Sequence, residues 1–149
     1  MATDCIAQVT FNFDGKRRPV VAAFDAAHAS SDGGAILLKG IDTQLGLTTR
    51  VAACLQDDRQ PGKIQHQTLE LFRQRVFGIA CGYADCNDAA RLADDAIHKL
   101  LVDRDPIAGP ALASQPTLSR FENAVEWREL LTMGHGLAET GRASCRERV

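Results

Sequence analysis

The sequence predicts a mainly α protein, a multi-helix domain preceded by an N-terminal β-hairpin, on three observations. Apolar residues recur at three- and four-residue steps through most of the chain after residue 34, the period of an α-helix with one face turned inward. The clear period of two lies near the start, in Val9-Thr10-Phe11-Asn12-Phe13. Finally, Gly46, Gly82 and Ser114-Gln115-Pro116 stand at the ends of the helical stretches, where caps and breakers belong.

Each element follows from its own residues. Asp14-Gly15 signals a turn after the first strand, and Val20 to Phe24 forms the second arm behind Pro19, which a strand start tolerates because proline has no N–H to donate. Lys16, Arg17 and Arg18 then sit at the loop tip, a solvated turn that also offers charge to phosphate. Leu37, Ile41 and Leu45, spaced by four, predict a helix over 35–45 with Gly46 in the left-handed conformation after it. Thr48 or Thr49 caps a short helix through Leu55, and a loop follows over 56–62.

The strongest helical pattern covers 64–81, with Leu69, Phe72, Val76 and Ile79 on the inward stripe. Gly82 ends it. Asp85 or Asn87 caps the next turn of chain, where Ala89, Leu92 and Ala93 make a narrow apolar face; Ile97, Leu100, Leu101 and Val102 either continue that helix or begin another. After a loop over 107–111, Ser114 caps a helix through Asn123, with Pro116 in its first turn. Leu118 and Phe121 face inward, and a last helix starts near Val125.

Composition sets the broad class. With 149 residues, 45% hydrophobic and 24% charged, the chain has the makings of one packed domain, since a domain of this size buries roughly 68–70% of its unfolded surface. No apolar run reaches the roughly 20 residues that cross a bilayer. The first residues also lack the basic patch and apolar core of a leader, so a cytoplasmic location with no membrane contact is expected. Five cysteines without a CxxC pair and four scattered histidines suit reduced thiols and no metal site.

Chemistry-bearing patterns are sparse. The acids are scattered, Asp32-Gly33-Gly34 lacks the rest of a phosphate loop, and Cys81 lies on an apolar helix without an evident base. Net charge is −2, which offers no broad basic surface for phosphates. Gln115, Thr117, Ser119 and Arg120, on a short capped helix, are the residue types that read base edges in a major groove.

Three segments carry a resemblance: SSDGGAILLKGIDTQLGLTTRVAACLQDDR over 30–59, QTLELFRQRVFGIACGYADCNDAARLADD over 67–95, and LASQPTLSRFEN over 112–123. In that order they resemble the N-terminal region of the insertion-sequence transposases of DDE transposase group 1, over about residues 10–140. The resemblance implies a transposase fragment that binds terminal inverted repeats in DNA transposition, as a possible homodimer. It also implies Mg²⁺ in the full-length family and none held by this chain. The family's ribonuclease-H-like catalytic domain lies beyond the matched region, so no catalytic residue is assigned and the chain alone is expected to be inactive. Residues 1–29 are read as the hairpin segment, 30–140 as a helical DNA-recognition and assembly region, and 141–149 as an atypical tail of truncation or frameshift. A non-enzymatic helical interaction or dimerisation module without DNA binding is the alternative, and a degraded gene product a third reading.

Overall fold

The computed structural model describes residues 9–12, 19–22 and 30–146. Two three-residue strands, β1 (Val9–Phe11) and β2 (Val20–Ala22), pair antiparallel with Thr10 opposite Val21. The turn that would join them, with Lys16, Arg17 and Arg18, lies outside the described residues. The rest is helical: α1 (Ala35–Leu45), α2 (Leu47–Ala52), a 3-10 turn over Pro61–Lys63, α3 (Thr68–Ala80), α4 (Ala89–Leu92), α5 (Ala96–Leu101), α6 (Gln115–Ala124) and α7 (Trp127–Arg146). No helix among the described residues is long and apolar enough to cross a membrane.

Local signals place the helix ends well. Gly46 has φ +62° and its N–H donates to the Asp42 carbonyl, a left-handed termination that disfavours residues with a Cβ. A capping box holds the start of α3: the Gln67 N–H donates to Glu70 at 3.0 Å, and the Gln67 side chain accepts from the third helical residue. Asp95 caps α5 by accepting from the Ile97 and His98 amides at 2.9 and 3.0 Å and so makes it a separate helix. At Gly109 a Cβ would stand 2.3 Å from the Asp105 carbonyl oxygen, so that loop closes only on glycine.

The helix faces depart from the stripes that periodicity predicts. In α1 the buried positions are Ala35, Ile36, Lys39 and Asp42, whereas Leu37 is 62% and Ile41 54% exposed. In α3 they are Leu71, Gln74, Arg75, Phe77 and Gly78. Leu69, Phe72 and Val76 are only half-buried and Ile79 is exposed. The physical reason is that α3 packs against α1, α2, α5 and α6 together, so its inward arc is wide and takes in polar residues that find partners.

Those partners are internal. Lys39 donates to Asp103 at 3.0 Å, Arg73 binds the same carboxylate oxygen, and Arg73 lies 3.7 Å from Asp42. Asp42 in turn accepts from the Thr48 amide at 2.7 Å and its hydroxyl at 2.6 Å. Thr48 is therefore a buried helical residue held by Asp42; the N-cap of α2 is Gly46, not Thr48 or Thr49. Asp103 holds φ +66°, a left-handed geometry that aspartate tolerates better than most residues. The network fastens α1, α2 and α3 to the turn after α5.

Two small apolar clusters complete the core. Leu71, Cys86, Ala89, Ala113 and Leu118 form one, with Phe121 against it; Ala35, Phe77 and Leu101 form the other, beside Cys81 and Ile97. Buried Gln74 receives the Ala113 amide at 3.0 Å and donates to its carbonyl at 2.9 Å. This two-point clamp fixes the segment before α6 on α3, and thereby sets where α6 lies.

Candidate nucleic-acid interface

A cleft of about 680 Å³ opens between the loop 56–59, the first turns of α3, one side of α6 and the start of α7. Its loop wall is cross-linked by hydrogen bonds. Arg59 donates to both oxygens of Asp57, each at 2.6 Å, and the Thr68 hydroxyl donates to Asp57 at 2.7 Å. The Arg59 guanidinium, more than any other neighbour, holds the Asp57 carboxyl far below the usual carboxylate range. At the far side, Glu129 accepts from the Gln56 and Glu126 amides, both at 2.7 Å. Those two backbone bonds lower its pKa and tie the first turn of α7 to the loop.

Arg120 and Arg128 complete the cleft lining from the other side. Arg120 is exposed, and none of the ion pairs among the described residues uses it. Arg128 lies over the Trp127 ring, 5.4 Å from its centroid, and Trp127 is 64% exposed. The central arginines are committed elsewhere: Arg73 to Asp103 and Asp42, Arg75 to Glu122, Arg104 to Glu70.

The four α6 residues singled out by sequence divide. Thr117 and Arg120 open onto the cleft, while Gln115 and Ser119, one turn apart on a neighbouring arc, are outside its lining. The Ser119 carbonyl accepts from the Asn123 side-chain Nδ2 at 2.8 Å, and Thr117 shares a hydroxyl contact with Ser114 at 3.2 Å. Leu118 is 2% exposed and Phe121 half-buried, the inward pair expected of this helix. Sequence reading missed Trp127-Arg128 and the Asp57-Arg59 wall. The adjacent Trp and Arg at the start of a helix were a legible signal; the wall was not, since nothing local says that residue 59 meets 68.

The helical domain thus carries a cleft whose charged lining is Arg59, Arg120 and Arg128 with Asp57, Asp58, Glu126 and Glu129. The transposase DDE domain group 1 family matches residues 13–148. The chain belongs to that family. The match takes in most of the segment 141–149 set apart by sequence, and α7 runs unbroken to Arg146. No curated protein matches the chain, and neither does any solved structure.

Proposed function

We propose that this chain serves DNA transposition in the cytoplasm by binding the terminal inverted repeats of an insertion sequence. In this reading α6 and the adjoining cleft meet the DNA. The observation that carries it is Arg120: an exposed, uncommitted arginine beside Thr117 at the mouth of the cleft, in a chain whose interior arginines are locked in ion pairs. Arg128 adds a second cation on the same rim. Gln115 and Ser119 supply polar contacts along α6, and the basic run Lys16, Arg17 and Arg18 supplies a further phosphate contact. Catalytic carboxylates and their Mg²⁺ belong to the ribonuclease-H-like part of the full-length family. Purified chain with Mg²⁺ or Mn²⁺ is accordingly expected to leave inverted-repeat DNA uncut; metal-dependent nicking would overturn that assignment.

Fluorescence anisotropy with matched and scrambled terminal duplexes tests the binding. If Arg120 reaches a base edge, Arg120→Ala weakens matched binding by about 1–3 kcal/mol and relaxes preference at one base pair. If it meets phosphate, all sequences weaken alike and the salt slope falls by about one. Unchanged affinity and slope would remove α6 from the interface. A second reading, an interaction or homodimerisation module, is favoured by the exposed Leu130, Leu131 and Leu137 of α7. Sedimentation of the chain alone separates the two, because self-association without DNA affinity supports the second.

A further inference from the structure

Away from the cleft, three side chains of different chemistry converge. Asp32 precedes α1, Cys81 ends α3 and His98 belongs to α5, yet a carboxylate oxygen, the thiol sulfur and an imidazole nitrogen lie within 4.8 Å of one another. His98 Nε2 is 2.9 Å from Asp32 Oδ2, and the Tyr83 hydroxyl donates to the same oxygen at 2.9 Å. His98 is 2% exposed, while Asp32 and Cys81 are half-buried, so the group is sheltered but reachable from one side.

We propose that Asp32, Cys81 and His98 bind one zinc-class divalent cation, which staples the segment before α1 to the end of α3 and to α5. The donor set selects the metal. One sulfur, one imidazole nitrogen and one carboxylate oxygen suit Zn²⁺ or Co²⁺, whereas Mg²⁺ prefers an all-oxygen octahedron. Charge also balances: a carboxylate and a thiolate neutralise a dication, leaving no net charge in a largely dry site.

Little movement is needed. Donors around a tetrahedral zinc stand roughly 3.5 Å apart, given metal–ligand bonds of about 2.0–2.3 Å. The His98–Asp32 contact therefore opens slightly and the thiol closes in. On binding, the Cys81 thiol releases its proton to solvent as the sulfur–metal bond forms. His98 ligates through Nε2, so the proton that Nε2 donates to Asp32 in the free chain moves through solvent to Nδ1, and that hydrogen bond is replaced by two metal bonds. Tyr83 stays placed to hydrogen-bond the ligating carboxylate, the kind of outer support that orients metal ligands. Three protein ligands leave a fourth position for water. This staple is separate from two-metal strand chemistry, which needs clustered carboxylates.

Titration of the reduced, chelator-treated chain with Co²⁺ tests the site. The expected result is saturation at one equivalent, with a thiolate-to-cobalt charge-transfer band and the intense visible bands of four-coordinate cobalt, all displaced by one equivalent of Zn²⁺. Cys81→Ser should lose the charge-transfer band and Asp32→Asn the stoichiometric end point, while Cys54→Ser keeps both. An independent readout needs no variant: Zn²⁺ should protect Cys81 from alkylation, located by peptide mass. Absence of a one-equivalent thiolate band in the unmodified chain, a band that survives Cys81→Ser, or Cys81 alkylated equally fast with and without Zn²⁺ would overturn the proposal and leave a hydrogen-bonded triad.

Discussion

Leu71→Ala should lower the stability of the helical domain by about 3 kcal/mol, through lost transfer energy plus the cavity left behind. Leu71 is 1% exposed and sits with Cys86, Ala89, Ala113 and Leu118. It closes the floor of the cleft as well, so its loss loosens α6 together with α3. By contrast Ile41→Ala, on a residue 54% exposed, should shift stability by no more than about 0.5 kcal/mol. Urea denaturation followed by far-ultraviolet circular dichroism measures both. A larger loss at Ile41 than at Leu71 would mean that the α1 stripe, not the α3 floor, carries the core.

Arg104→Ala should cost about 2–3 kcal/mol, at or below the low end for a buried ion pair, because Arg104 is buried while Glu70 is partly exposed. Arg104 donates to Glu70 at 3.3 and 3.1 Å, to His66 Nδ1 at 2.8 Å, and to the Pro110 and Ala111 carbonyls. One guanidinium thus joins the first turn of α3 to the loop that leads into α6. Its removal strands acceptors on both sides, and the loss of each buried hydrogen bond adds to the cost. Glu70 would keep its capping bond to Gln67, so α3 itself should survive while the segment 110–113 loosens. Hydrogen exchange should show lost protection there before α3 opens; unchanged stability would mean that solvent already satisfies these groups.

The same contact gives a pH dependence with a definite sign. Burial, and next the charge of Arg104, hold the His66 pKa below its ordinary value of 6.5. A histidine depressed in the folded state favours unfolding when protonated, so stability is full above about pH 6.5 and falls as pH drops toward the lowered folded value. Arg104→Ala should flatten that slope by removing one of its causes.

Much of the fold was legible because it is local. Gly46 and Gly82 mark left-handed exits at φ +62° and +98°, which glycine takes more cheaply than residues with a Cβ. Pro116 announces the first turn of α6 for the same kind of reason, a backbone conformation fixed by the residue itself, while Ser114 holds the N-cap position without a side-chain capping bond. Asp95 as a cap went unread because Asp94-Asp95 passes equally well for loop or helix-end charge. The cleft-lining residues of α6 were half legible. Composition of α6 pointed to Thr117 and Arg120, but only packing on Leu71 and Leu118 turns these two toward a cleft and Gln115 and Ser119 away from it.

By itself, then, the sequence determined that helices dominate, several helix ends such as Gly46, Gly82 and Ser114, and, through its matched segments, the transposase family. Those properties rest on short-range chemistry and on residue order. Which face of each helix is buried was decided only in three dimensions. Periodicity finds the apolar stripe of a helix packed on one side, whereas α3 is enclosed by four other helices. Lys39, Asp42, Gln74 and Arg75 go inside because partners up to 64 residues away in the chain satisfy them. Such pairings have no period, and neither does the convergence of Asp32, Cys81 and His98, since no spacing in the chain foretells which side chains the packing of helices will bring within a bond's reach.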